Sequence, residues 1–206
     1  MLRYPSLCLA ALAAAVIVSL PLGGSAMAGS IEEPAFAVVA RMDGVEIRRY
    51  EPSIQAVTQL RSSGQTSSGF QRLAGYIFGG NATAESIAMT APVQETLGTD
   101  TPEMAFTMPA AYAMEDLPLP DSELVALREM PARYAAVVSF GGWATGGKVS
   151  RMKTELLDAL AQNGIETIGP SALNQYNPPW TLPFLRRNEI TIDVEWAEDG
   201  ALAFAP

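Results

Sequence analysis

Three rhythms of apolar and polar residues divide this chain. Residues 7–22 are apolar without period, broken mainly at Ser19 and Pro21. Further on, apolar positions recur every second residue in short runs, the pattern of strands with one face in a core. In two longer segments they recur at three- and four-residue spacing, the pattern of helices packed along one side.

The alternating runs place strands at residues 35–42 and 45–50, joined by Asp43-Gly44, a dipeptide suited to the positive φ of a tight hairpin. Residues 54–60 form a third strand, with Ile54, Ala56, Thr58 and Leu60 on one face. A loop rich in Ser, Gly and Thr leads into a helix over residues 68–78. Phe70, Leu73, Ala74 and Ile77 share one face of it, Ser67 or Ser68 can cap it, and Gly79-Gly80 can end it. Residues 87–93 and 104–109 read as short strands stopped by Pro92 and Pro109. Residues 110–122 carry no period and read as a long surface loop. Strands follow at 124–128 and 134–140, then a glycine-rich loop at 141–147 that lacks the Lys-Ser/Thr of a phosphate-binding loop. The second helix covers 148–162, with Val149, Met152, Leu156, Ala159, Leu160 and Asn163 on one stripe and Gly164 as its stop. Strands at 165–168, 171–176 and 189–196 complete the pattern, and Ile190, Ile192, Val194 and Trp196 share one face of the last.

The order strand, loop, helix, strand, strand thus occurs twice, over 54–108 and over 134–196. Two βαββ units predict an α+β domain in which a twisted, barrel-like antiparallel sheet is flanked by two helices about a pseudo-twofold axis.

Residues 176–189 fit neither period. Pro178, Pro179 and Pro183 fix the backbone and remove three donors, so the segment reads as a stiff loop. It carries Tyr176, Trp180 and Phe184 and runs into Arg186 and Arg187. Aromatic faces beside guanidinium groups suit a flat, apolar, anionic ligand; they equally suit a loop that plugs a core.

Composition narrows the chemistry. Arg3, the apolar run and Ala26-Met27-Ala28 match a secretory signal peptide cleaved after Ala28, which predicts a single exported domain over 29–206, periplasmic or secreted, with no stable membrane anchor left behind. The single cysteine, Cys8, leaves with that leader, so no disulfide is expected. A net charge of −9 without a basic run argues against nucleic acid as a partner. The sequence has no histidine. That excludes Ser-His-Asp and Cys-His catalysis and histidine ligation of a haem iron. With Cys8 removed, zinc sites built on His or Cys are excluded too. Met89, Met104 and Met108 read either as soft iron ligands or as core fillers. Asn81-Ala82-Thr83 matches a glycosylation sequon.

Several stretches together resemble the SOUL/haem-binding protein family. They are Val45-Glu46-Ile47-Arg48-Arg49-Tyr50, the segment 69–81, the segment 87–93 with its Met-Thr-Ala-Pro-Val, the segments 104–109 and 117–120, and Tyr-Asn-Pro-Pro-Trp with Arg-Arg-Asn-Glu in 176–189. The resemblance spans about 38–196 and implies a twisted barrel from a βαββ duplication. It also implies that haem or another tetrapyrrole binds in a groove between the first helix and the last long loop. The groove positions it implies are Phe70, Leu73, Ala74 and Ile77 on the helix, and Tyr176, Trp180, Leu182 and Phe184 on the loop. Arg72, Arg186 or Arg187 would pair with the propionates. Without histidine, the iron is held without strong protein ligation, or by Tyr or Met. The alternative for Arg186 and Arg187 is structural: one pairs an internal carboxylate or satisfies loop carbonyls.

Three functional classes follow: an exported haem- or tetrapyrrole-binding carrier of this planar hydrophobic small molecule, an enzyme acting on a tetrapyrrole, and a binding module for other flat hydrophobic molecules or a peptide. The third rests on a likeness of the βαββ duplication to the ligand-binding domains of bacterial drug-sensing regulators. For the enzyme, acid–base work falls to Tyr76, Glu85 or Glu189.

Overall fold

A computed structural model of the chain describes residues 31–197. The expected leader over 1–28 lies outside the described residues. Among the described residues there are two α-helices and nine strands, in the order β1 Phe36–Met42, β2 Val45–Tyr50, β3 Ser53–Gln59, α1 Thr66–Ile77, β4 Val93–Leu97, β5 Glu103–Thr107, β6 Ala126–Met130, β7 Arg133–Gly141, α2 Gly146–Gln162, β8 Thr167–Gln175 and β9 Arg187–Val194. The strands form one sheet in the order β1-β2-β7-β9-β8-β4-β5-β3-β6. Every pairing in it is antiparallel. The sheet curls into a half-barrel, so the α+β class and the barrel-like duplication both hold.

The repeat explains the order. Within each βαββ unit the last strand sits between the other two, giving β3-β5-β4 and β7-β9-β8. The units join through β4 and β8, from Val93↔Gln175 to Leu97↔Ser171. The strand preceding each unit then crosses to the other: β2 pairs with β7, and β6 pairs with β3. This exchange ties the halves together on both sides of the central pair.

Each helix covers its own half of one sheet face. Leu156 and Leu160 of α2 lie in a core with Ile47, Ala136, Val138, Ile190 and Ile192. Leu73, Tyr76 and Ile77 of α1 lie in a second core with Ala56, Met104, Phe106 and Met108. Met104 and Met108 are therefore core residues, and Met89 packs beside them. Side chains alternate across a strand, so Gln55, Gln94, Asn174, Glu189 and Thr191 point to the face turned away from the helices. They bond to one another there: Gln55 Nε2 donates to Gln94 Oε1 at 2.9 Å, and Asn174 Nδ2 to Thr191 Oγ1 at 2.9 Å.

Four local expectations change. Residues 87–92 are not a strand, and β4 begins only at Val93. Pro92 has no N–H to give a ladder and its peptide bond is cis. The run is instead held by other partners: Ile87 N–H donates to the Ile77 carbonyl, Ala91 N–H to the Glu32 carbonyl, and Thr90 Oγ1 to the Thr107 carbonyl. Residues 165–168 and 171–176 are not two strands, because β8 runs continuously through an irregularity where Gly169 takes a φ of 68°. Helix α1 begins with Gln65 at its cap position and no side-chain cap, so neither Ser67 nor Ser68 serves. The sixth strand lies at Ala126–Met130, two residues beyond the expected one.

Asn81 is buried. Its Nδ2 donates to the carbonyls of Tyr76 and Glu85, and its Oδ1 accepts from the Glu85 N–H. An amide spent in this way closes the end of α1 and has no room for a glycan, so the sequon is structural in the folded chain.

Candidate functional site

The loop between β8 and β9 is braced from within. Arg186 is buried, its Nε donates to the Thr181 carbonyl at 2.9 Å and its Nη2 to the Pro179 carbonyl. Its guanidinium lies 3.8 Å from the centre of the Trp143 ring. Gly142 N–H donates to the Pro183 carbonyl at 3.0 Å, and Asn188 Nδ2 to the Gly142 carbonyl at 2.9 Å. A short 3-10 turn, Pro183–Leu185, completes the frame. Three prolines leave few donors, so one arginine supplies the partners that the loop carbonyls need.

The braced loop holds apolar side chains out into solvent. Trp180 is 83% exposed and Phe184 77%, with Leu182 and Leu185 also exposed; Trp143, on the neighbouring β7–α2 connection, is exposed beside them. Lone exposed apolar residues are ordinary, whereas several on one rigid loop make it a candidate binding surface. Tyr176 is not among them. It is half-buried, its hydroxyl donates to Glu189 Oε2 at 2.7 Å, and the Arg187 guanidinium lies 3.5 Å from the centre of its ring. Arg187 also pairs with Glu33.

On α1, Leu73 and Ile77 are 0% and 1% exposed and belong to the core beneath the helix. The outward line is Phe70, Ala74 and Phe78, each four residues from the next. Phe70 meets Phe106 edge-on with ring centres 5.4 Å apart, and Phe78 is exposed. Arg72 Nη2 donates to the Gln59 carbonyl at 2.6 Å, and its Nε is buried with no partner among the described residues. All three candidate arginines are thus engaged in the fold.

The internal carboxylate is Glu189, 2% exposed, and its partner is neither Arg186 nor Arg187. Arg48, from β2, donates Nη1 to Glu189 Oε2 at 3.0 Å and Nη2 to Glu189 Oε1 at 3.2 Å. Ser139 Oγ donates to Oε1 at 3.1 Å. Arg48 also reaches Glu46 Oε2 at 2.8 Å and Tyr50 OH at 3.3 Å, and its guanidinium lies 4.3 Å from the Phe36 ring centre. Nothing in the linear sequence marks this pair. The cross-unit pairing of β2 with β7, and of β7 with β9, brings residues 48 and 189 together.

Two tyrosines of this network titrate above the ordinary value of 10.0. Burial pushes Tyr50 up, partly offset by Arg48. Burial first, then the Glu189 carboxylate, pushes Tyr176 up strongly. A raised folded-state pKa contributes stability below the unfolded value that is lost as pH rises beyond it. Thermal unfolding should therefore hold steady up to about pH 10 and decline above it, and Tyr176→Phe should flatten that decline. An alkaline profile identical in the variant would contradict this account.

The profile of the SOUL heme-binding protein family matches residues 31–193. The chain belongs to the SOUL haem-binding protein family. No curated protein sequence matches it. Among solved structures it is similar to the EcmrR C-terminal domain, at a TM-score of 0.59 and 11% identity, covering 74% of this chain and 98% of that one. It is also similar to a hydrolase from Listeria innocua, at a TM-score of 0.56 and 10% identity, covering 76% and 94%. At such identities the likeness is one of fold, and the SOUL member shares its duplicated βαββ frame with both.

Proposed function

We propose that this SOUL-family protein is an exported carrier that holds haem or a related tetrapyrrole by apolar contact, without strong protein ligation of the metal. The observation that carries the reading is the braced loop displaying Trp180, Leu182 and Phe184. In this reading the outward residues Phe70 and Ala74 of α1 supply the second wall, with Leu73 and Ile77 beneath them in the core. A porphyrin is a flat apolar plate, and burying a few hundred Å2 of it at about 25 cal/mol per Å2 contributes several kcal/mol before the costs of binding.

Two features refine the reading. The chain has no histidine, so an imidazole ligand to iron is excluded and this reading rests on apolar contact. Arg72, Arg186 and Arg187 each already hold a partner in the fold, and in this reading the propionates are left toward water. Binding then depends little on the central metal and little on salt. Catalysis has no matching support: Tyr76 OH donates to the Pro118 carbonyl, Glu85 accepts from Tyr112, and Glu189 is held by Arg48.

Optical titration with haemin and with metal-free protoporphyrin tests the proposal. Saturable binding of both is expected, with comparable affinity and no spectral signature of two strong axial ligands. Failure of both pigments to saturate the protein defeats the reading.

A further inference from the structure

A cavity of about 820 Å3 is lined by no residue of the aromatic loop and meets it through the Glu33–Arg187 pair. Its walls come from the segment before β1, the β2–β3 turn, the loop after β5 and the β6–β7 hairpin, whose residues are far apart in sequence. The floor is apolar and deformable: Ile54, Met108, Met114 and Met130 line it. Methionines adapt to ligands of varied shape and offer polarisable surface. Tyr112 adds an aromatic ring, held in place because its hydroxyl donates to Glu85 Oε1 at 2.7 Å.

The charge of the lining is one-sided. Glu32, Glu33, Glu51, Glu115 and Glu129 border the cavity, and no lysine or arginine does. Three of these carboxylates have work elsewhere. Glu32 accepts from the Ala110 N–H at 2.7 Å, Glu33 pairs with Arg187, and Glu51 pairs with Arg49. Glu115 and Glu129 make no hydrogen bond or ion pair with the described residues. The carboxylates are also spread out, since no group of three acidic residues among the described ones is placed to hold a metal ion. A compact metal cation is therefore the wrong occupant. A diffuse positive charge on an apolar body fits both the floor and the rim, and the volume falls within the usual range for small-molecule sites.

We propose that this cavity binds a small apolar organic cation, with Met108, Met114, Met130 and Tyr112 receiving its body and Glu115 and Glu129 facing its charge. A cation over the Tyr112 ring gains from the ring's negative face as well. Its lining shares no residue with the aromatic loop, and the proposal does not depend on the tetrapyrrole reading.

Xanthene dyes of one frame and graded charge provide the test: rhodamine 6G is a cation, rhodamine B a zwitterion and fluorescein an anion. Fluorescence anisotropy with the purified protein should show saturable binding of rhodamine 6G, weaker binding of rhodamine B and none of fluorescein. Glu115→Gln and Glu129→Gln should each weaken rhodamine 6G about two- to fivefold. Met130→Lys should abolish its binding, while Trp180→Ala leaves it unchanged. Haemin titrations of the two Gln variants should match the parent, so that a failure here is separate from a failure of the pigment reading. The proposal is overturned if rhodamine 6G does not saturate the protein or if fluorescein binds as well. It is overturned equally if both Gln variants bind the cation like the parent.

Discussion

Arg48→Met is expected to lower the free energy of unfolding by about 3–5 kcal/mol, because it strands a buried carboxylate. Glu189 is shielded from water and its charge is answered by both terminal nitrogens, Nη1 and Nη2, of the Arg48 guanidinium. Removing Arg48 leaves Ser139 and Tyr176 as its hydrogen-bond donors, and neither carries charge. The double variant Arg48→Met/Glu189→Leu should recover much of the loss, since two apolar groups of similar volume remove the desolvation cost together. Urea unfolding of the parent, both single variants and the double variant gives the coupling directly. If the double variant loses the sum of the two single losses, the pair is not the lock on the helix-free face that its geometry indicates.

That lock also shows where sequence reasoning stopped. The strands, the helices and their duplicated order were legible because period two and period 3.6 are local signals. Asp43-Gly44 was legible as a hairpin for the same reason: the turn needs positive φ, and Asp43 and Gly44 adopt 46° and 79°. The exchange of β2 and β6 between units was not legible. Alternation says which face a side chain takes but not which strand lies beside it. Arg48 therefore looked like one polar residue in an alternating run. Residues 87–92 misled for a related reason. Their alternation is real, but Pro92 withholds a donor and the backbone finds partners in Glu32 and Ile77 instead of a neighbouring strand.

The candidate site divides along the same line. The 176–189 loop announced itself by its prolines and aromatics, and it displays Trp180 and Phe184 in the structure. Periodicity gave the stripe on α1 but not its absolute rotation: Leu73 and Ile77 lie in the core, Phe70 sits at the margin against Phe106, and Phe78 is exposed. For Arg186 the sequence left two roles open, propionate or scaffold. The geometry answers with two loop carbonyls and the Trp143 ring. The acid-rimmed cavity left no trace in the sequence, because its five glutamates lie in four separate segments.

Replacing both Trp180 and Phe184 by alanine is expected to weaken haemin and protoporphyrin about a hundredfold each, the equivalent of about 2.8 kcal/mol. The two side chains are almost wholly in solvent, so their removal takes nothing from the core. The melting temperature should therefore stay within a degree or two of the parent, which separates lost binding from lost fold. The magnitude follows from area, since each ring can cover a substantial part of a macrocycle face and aromatic contact adds about 0.5–1.5 kcal/mol beyond burial. Arg186→Ala offers a contrasting control. It touches no ligand in this reading, but it removes the donors that hold the Pro179 and Thr181 carbonyls. It should weaken both pigments by loosening the loop, and it should also lower the melting temperature, unlike the aromatic pair. Haemin affinity unchanged in the aromatic double variant would move the pigment away from this loop altogether. Haemin loss with protoporphyrin untouched would instead point to a metal ligand rather than an apolar platform.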